Sequence, residues 1–92
     1  MELAFDPIKS AKNDELRGLP FERAADFDFT TAMVRQDTRN PYPETRLRAL
    51  GVIGEMICLL VFTPIADGIR VISLRKASRK ERRLWHASQI LD

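Results

Sequence analysis

The stretch Arg46-Leu47-Arg48-Ala49-Leu50-Gly51-Val52-Ile53-Gly54-Glu55-Met56-Ile57-Cys58-Leu59-Leu60-Val61-Phe62-Thr63 decides the fold. Its first half, Arg46 to Ile53, alternates. Leu47, Ala49, Gly51 and Ile53 fall on one side of an extended chain, and Arg46, Arg48, Leu50 and Val52 on the other. Its second half, Met56 to Thr63, is apolar up to its last residue, as in a central strand buried on both faces. The run is far short of the roughly 18 apolar residues of a membrane span. Gly54-Glu55 between the halves fits a hairpin turn.

Working outward, Pro64 to Gly68 breaks the run, and Asp67-Gly68 signals a second hairpin. Ile69 to Lys76 reads as the next strand. Strict alternation gives it one face of Arg70, Ile72, Leu74 and Lys76 and another of Ile69, Val71, Ser73 and Arg75, so Arg75 and Lys76 flank its end on opposite sides. Ser78 and Glu81 have the spacing of a capping box, which starts a helix running to about Gln89. Leu84, Ala87, Ser88 and Leu91 trace a narrow stripe on that helix, with Trp85 off it. Upstream, Thr31 to Gln36 is a strand and Asp37 to Glu44, with Asn40-Pro41-Tyr42-Pro43, a loop.

The N-terminal part supplies Leu3-Ala4-Phe5 as an edge strand. Asp6-Pro7 is a helix entry, an N-cap carboxylate followed by proline at the first helical position. A helix over Ile8 to Arg17 ends at Gly18. Phe21 to Phe27 reads as a short second helix, with Phe21, Ala24 and Ala25 on one face. The order β-α-α-β-β-β-β-α indicates an α+β fold, an antiparallel sheet with the helices packed on one face, in a single domain over 1–92.

Composition narrows the function. In 92 residues, 45% are apolar and 30% charged, which suits a globular chain. Cys58 is the single cysteine and His86 the single histidine, so an intrachain disulfide, a Cys/His zinc site and a histidine-pair mechanism are excluded. Cys58 sits among apolar neighbours and reads as a buried, inert thiol. Met1 to Asp6 has no basic region or long apolar stretch of the signal-peptide kind, so a cytoplasmic protein is expected. No glycine-rich phosphate loop is present. Asp26, Asp28 and Glu44 could pair only through a tertiary contact.

The charge is unevenly spread. Residues 1–44 carry six Lys/Arg against nine Asp/Glu, and residues 45–92 carry nine against four. Arg70 to Arg83 holds seven basic residues and one acidic one. Arg79, Lys80, Arg82 and Arg83 crowd the first turns of the last helix, where the helix dipole disfavours cations. Such a junction suits phosphate or an acidic partner. RNA cleavage fits this inventory: the attacking 2′-OH belongs to the substrate, and cations can stabilise charge on the phosphoryl oxygens. Neither a cofactor nor a metal is expected.

Three motifs stand in order: Phe5-Asp6-Pro7-x-Lys9 with Asn13 and Gly18-x-Pro20-Phe21-Glu22-x-Ala24; Glu44-x-Arg46 with Gly51; and Ile69 through Arg82. In this order they resemble the BrnT family of toxins. Together they span roughly residues 3 to 85. The resemblance implies a RelE-like α+β toxin that cleaves RNA and arrests translation. It also implies a BrnA-type antitoxin that binds operator DNA through its own domain, in a toxin–antitoxin heterotetramer. Arg46, Arg75 and Lys76, supported by Arg17, are the expected catalytic cations. Arg70, Arg79 and Lys80 are expected to bind RNA, and Arg82, Arg83 and Trp85 the antitoxin. The family's usual Lys-His-Gly is Leu16-Arg17-Gly18 here, and arginine cannot act as a base near neutral pH. The alternative is therefore a weak or inactive homologue that binds antitoxin or RNA. A DNA-binding regulator is disfavoured, because no helix-turn-helix pattern is seen.

Overall fold

The computed structural model describes residues 1–90; Leu91, the end of the expected stripe, lies outside them. The elements are β1 (Glu2–Ala4), α1 (Pro7–Arg17), a 3-10 helix (Phe21–Asp26), β2 (Met33–Gln36), β3 (Leu47–Ile53), β4 (Met56–Ile65), β5 (Gly68–Lys76) and α2 (Arg79–Gln89). The expected order holds, with the second helix in 3-10 form. Among the described residues no helix is long and apolar enough to cross a membrane.

The local signals act as expected. The Asp6 side chain accepts the Ile8 N–H, Pro7 opens α1, and Gly18 closes it in the left-handed conformation at φ 66°. Gly54-Glu55 forms the first turn, and the second falls on Ala66-Asp67, one residue before the expected Asp67-Gly68, with Gly68 already in β5. β4 runs on through Pro64 to Ile65 instead of breaking there. Its pairing with β3 ends at Phe62, so Pro64 lies where that side is already an edge and proline's missing N–H removes no ladder bond.

The sheet order is β1-β5-β4-β3-β2. Four strands are antiparallel, but β1 pairs parallel to β5, so the sheet is mixed and not wholly antiparallel. Gly68 permits that edge: a Cβ there would stand 1.8 Å from the Glu2 carbonyl oxygen. A bulge interrupts the β4–β5 ladder. Val61 pairs with Ser73 but Phe62 pairs with Val71, leaving Ile72 as the extra residue. The strict alternation expected for β5 therefore fails. Ile69, Val71 and Leu74 join one core cluster, while Ile72 joins the other.

The helices do not share one face. The 3-10 helix packs Phe21 and Ala24 on the face carrying Ala49, Cys58, Leu60, Phe62, Val71 and Leu74. Cys58 is fully buried there and burial pushes its thiol pKa up, as an inert thiol requires. α2 lies over the opposite face, where Trp85 packs against Leu50, Ile57, Leu59, Val61 and Ala77. α1 is held by polar bonds. Buried Ser10 donates its hydroxyl to Glu22 at 2.7 Å and accepts the Phe21 N–H at 2.8 Å. Ile8 and Leu16 stay exposed.

Candidate functional site

Asn13 positions the end of α1. Its amide donates to the Leu19 carbonyl at 2.6 Å and to the Leu74 carbonyl at 2.9 Å, tying the helix to the end of β5. Arg17, one helical turn further, then lines an open groove of about 320 Å³ with Arg75 and Lys76. Three of the four cations expected to meet phosphate therefore converge, Arg17 of α1 meeting the consecutive Arg75 and Lys76 at the end of β5.

Arg75 is already engaged. Its Nη1 and Nη2 donate to Glu81 Oε1 at 2.8 Å and Oε2 at 3.0 Å, and Nη1 also reaches the Lys76 carbonyl at 3.2 Å. The same Glu81 accepts the Ser78 N–H at 2.8 Å, completing the capping box. The anion at the start of α2 is thus the protein's own carboxylate. Hydrogen bonding from Arg75 holds Glu81 at about 2, against an ordinary 4.5, and Glu81 raises the Arg75 pKa in return.

The same pair sets the rotation of α2. Glu81, Trp85 and Ser88 face the sheet, and Leu84 of the expected stripe is 48% exposed. Trp85 is consequently a docking residue, half-buried, with its Nε1 donating to the Thr31 carbonyl at 3.2 Å. One edge of Trp85 still lines a groove of about 820 Å³ beside the β3–β4 turn, together with Lys76, Arg82 and His86. Arg79, Lys80, Arg82 and Arg83 are exposed along α2, Arg82 donating to the Ala77 carbonyl at 3.1 Å. His86 stacks edge-on to Trp85 and does not line the Arg17 groove.

Arg46 stands apart from the groove. It pairs with Glu44 at 3.1 Å and its guanidinium lies 4.0 Å over the Tyr42 ring. Leu50, Leu59 and Arg75 form one cross-strand row, and Arg46 precedes Leu50 by four residues. Strand geometry therefore separates Arg46 from Arg75 by about 10 Å across the sheet and about 13 Å along it. Arg70, exposed on β5, is paired with Thr63. Among the described residues no three His, Cys, Asp or Glu side chains converge as metal ligands.

Sequence reading missed the cations that join Arg46 and Arg70 on this face. Arg35 of β2 lies opposite Arg48 of β3. Beside them Asp37, its side chain 1% exposed, accepts both Nε and Nη2 of Arg39 at 2.8 Å. Arg39 bonding, with the charge of Arg48, holds Asp37 at about 2. Alternation along β3 did place Arg48 beside Arg46; only the β2–β3 register brings Arg35 to it.

No curated protein and no solved structure matches the chain. A model of the family described as the ribonuclease toxin BrnT of type II toxin–antitoxin systems matches residues 5–81. That span runs from Phe5, just ahead of the α1 cap, through Asn13, the Arg17 groove and the arginine-bearing strands to Glu81, so the chain belongs to the BrnT family of ribonuclease toxins.

Proposed function

We propose that the chain is a RelE-like endoribonuclease that cleaves cytoplasmic RNA without a metal ion and is neutralised by a BrnA-type antitoxin. The observation that carries this reading is the groove shared by Arg17, Arg75 and Lys76. In the reaction the RNA's own 2′-oxygen attacks the adjacent phosphorus and loses its proton to solvent. The 5′-oxygen leaves and takes up a proton. Charge grows on the non-bridging oxygens, and Arg17 and Lys76 stabilise it. Arg75, whose fork is held by Glu81, adds its field and positions the start of α2. Three cations around one groove repel a divalent ion, which favours a metal-free route. Arg46 and Arg70, with Arg79 and Lys80 on α2, extend the positive surface along which RNA is held. Arg82, Arg83 and the open edge of Trp85 offer the antitoxin cations beside an apolar floor, and operator DNA is reached through the antitoxin alone.

The test is cleavage of single-stranded RNA by the purified chain in excess chelator. Cleavage that survives chelation and falls at least tenfold in Arg17→Ala and Lys76→Ala is expected. Activity that needs a divalent ion overturns the metal-free route. Binding without cleavage, with or without metal, supports the second reading, a non-catalytic RNA- or antitoxin-binding homologue. That reading is favoured by Arg17 in place of histidine and by the occupied fork of Arg75.

A further inference from the structure

The sheet face that carries α2 is only partly covered by it. Beyond the helix, Arg35 stands directly opposite Arg48, and Arg48 opposite Val61. Two residues further along β4, Thr63 is paired with Arg70. Like charges directly opposite on neighbouring strands repel. Among the described residues, Arg35, Arg48 and Arg70 form no ion pair. The nearby carboxylates are committed elsewhere, Asp37 to Arg39 and Glu81 to Arg75.

A second observation falls on the same face. Among the described residues, two buried side-chain polar atoms lack a hydrogen-bond partner, Arg48 Nε and Thr63 Oγ1. Buried polar atoms are almost always bonded, so two orphans in neighbouring parts of one face mark a place where something else supplies the acceptor. A hollow of about 200 Å³ opens beside Arg48, lined by Arg35, Arg48, Leu50, Leu59 and Leu84 and by Glu81, whose carboxylate is held by Arg75; Thr63 and Arg70 lie outside it on the same face.

We propose that Arg35, Arg48 and Arg70, with the Thr63 hydroxyl, form a second phosphodiester-binding site that holds RNA flanking the linkage being cleaved. It rests on the reading of RNA as substrate. A phosphodiester offers acceptor oxygens and one negative charge, the complement of two orphan donors among three unpaired cations. Arg48 precedes Leu50 of the Arg75 row by two residues. It therefore lies about 10 Å across and about 7 Å along the sheet from Arg75, within the span of one extended strand of RNA.

The experiment uses the whole chain and a fluorescent single-stranded 2′-O-methyl RNA, which binds but cannot be cut, with affinity measured by anisotropy across a salt series. Arg48→Gln and Arg35→Gln are expected to weaken binding about tenfold, with the salt slope shallower by about 0.7 for each phosphate no longer neutralised. Arg48→Lys should keep the slope and lose affinity, because it keeps charge without the fork. Thr63→Val should also lose affinity at unchanged slope. Arg35 is exposed, so its variant reports on binding even where Arg48→Gln fails to fold. Wild-type chain that does not bind the probe overturns the RNA reading as a whole. Wild-type binding with unchanged affinity and slope in Arg35→Gln and Arg48→Gln overturns this site alone. Unchanged RNA binding with weakened binding of the antitoxin overturns it too, and makes the face a protein interface.

Discussion

The two faces of the sheet are built from the same strands but to different ends. On the face that carries the 3-10 helix, Leu19, Ala24, Ala49, Leu60 and Leu74 are at most 1% exposed. Under α2, Leu50, Ile57, Leu59 and Val61 lie between 5% and 9%, and α2 buries none of its own residues. One face is a closed core. The other is an apolar patch roofed by Trp85 and bordered by arginines. A chain of 92 residues has burial enough for one good core. Concentrating it on one side leaves the opposite side free to carry charge that a core could not accept.

The largest effect expected follows from that contrast. Leu60→Ala should cost about 2–5 kcal/mol in denaturant unfolding, because its cavity is enclosed on all sides. Leu59→Ala, at the adjacent position but facing α2, should cost clearly less, since its surroundings can relax or admit water. Equal losses would show that the faces differ in exposure but not in their share of stability.

A smaller, local effect is expected at the Arg75–Glu81 pair. Arg75→Ala should loosen α2 by about 1.5–3 kcal/mol, the range of hydrogen bonds to charged groups, while the closed core stays folded. Trp85 is the sole tryptophan, so its emission reports α2 alone; a red shift with an unchanged melting profile for the rest of the chain is expected. RNA cleavage should fall with it. Unshifted emission would mean that Trp85 and not the ion pair holds the helix.

The smallest effect is in pH. The Glu81 carboxyl titrates near 2 in the folded chain and near 4.5 when unfolded. Its pairing therefore stabilises α2 fully above about pH 4.5, and that contribution is lost as pH falls toward 2. Trp85 emission should shift across that window in the wild type and at higher pH in Arg75→Ala, where only the Ser78 bonds still hold the carboxylate. Asp37, near 2 against 3.8, releases its hold on Arg39 over a similar range.

Most features that neighbouring residues settle among themselves were legible in the sequence, the end of β4 and the exact place of the second turn excepted. The Asp6-Pro7 and Ser78–Glu81 helix starts, the Gly18 stop, the two hairpin turns, the alternation of β3 and the apolar run of β4 depend on contacts a few residues apart. The family signatures and the cationic segment from Arg70 to Arg83 were legible for the same reason. Long-range packing decided the parallel pairing of β1, the bulge at Ile72 and the placing of α2 on the second face. It also turned Trp85 inward through the Glu81 pair, joined Arg17 to Arg75 through Asn13, and set Arg35 against Arg48. Each of these is fixed by partners distant in the chain, where register and packing, not local propensity, choose which side chains meet.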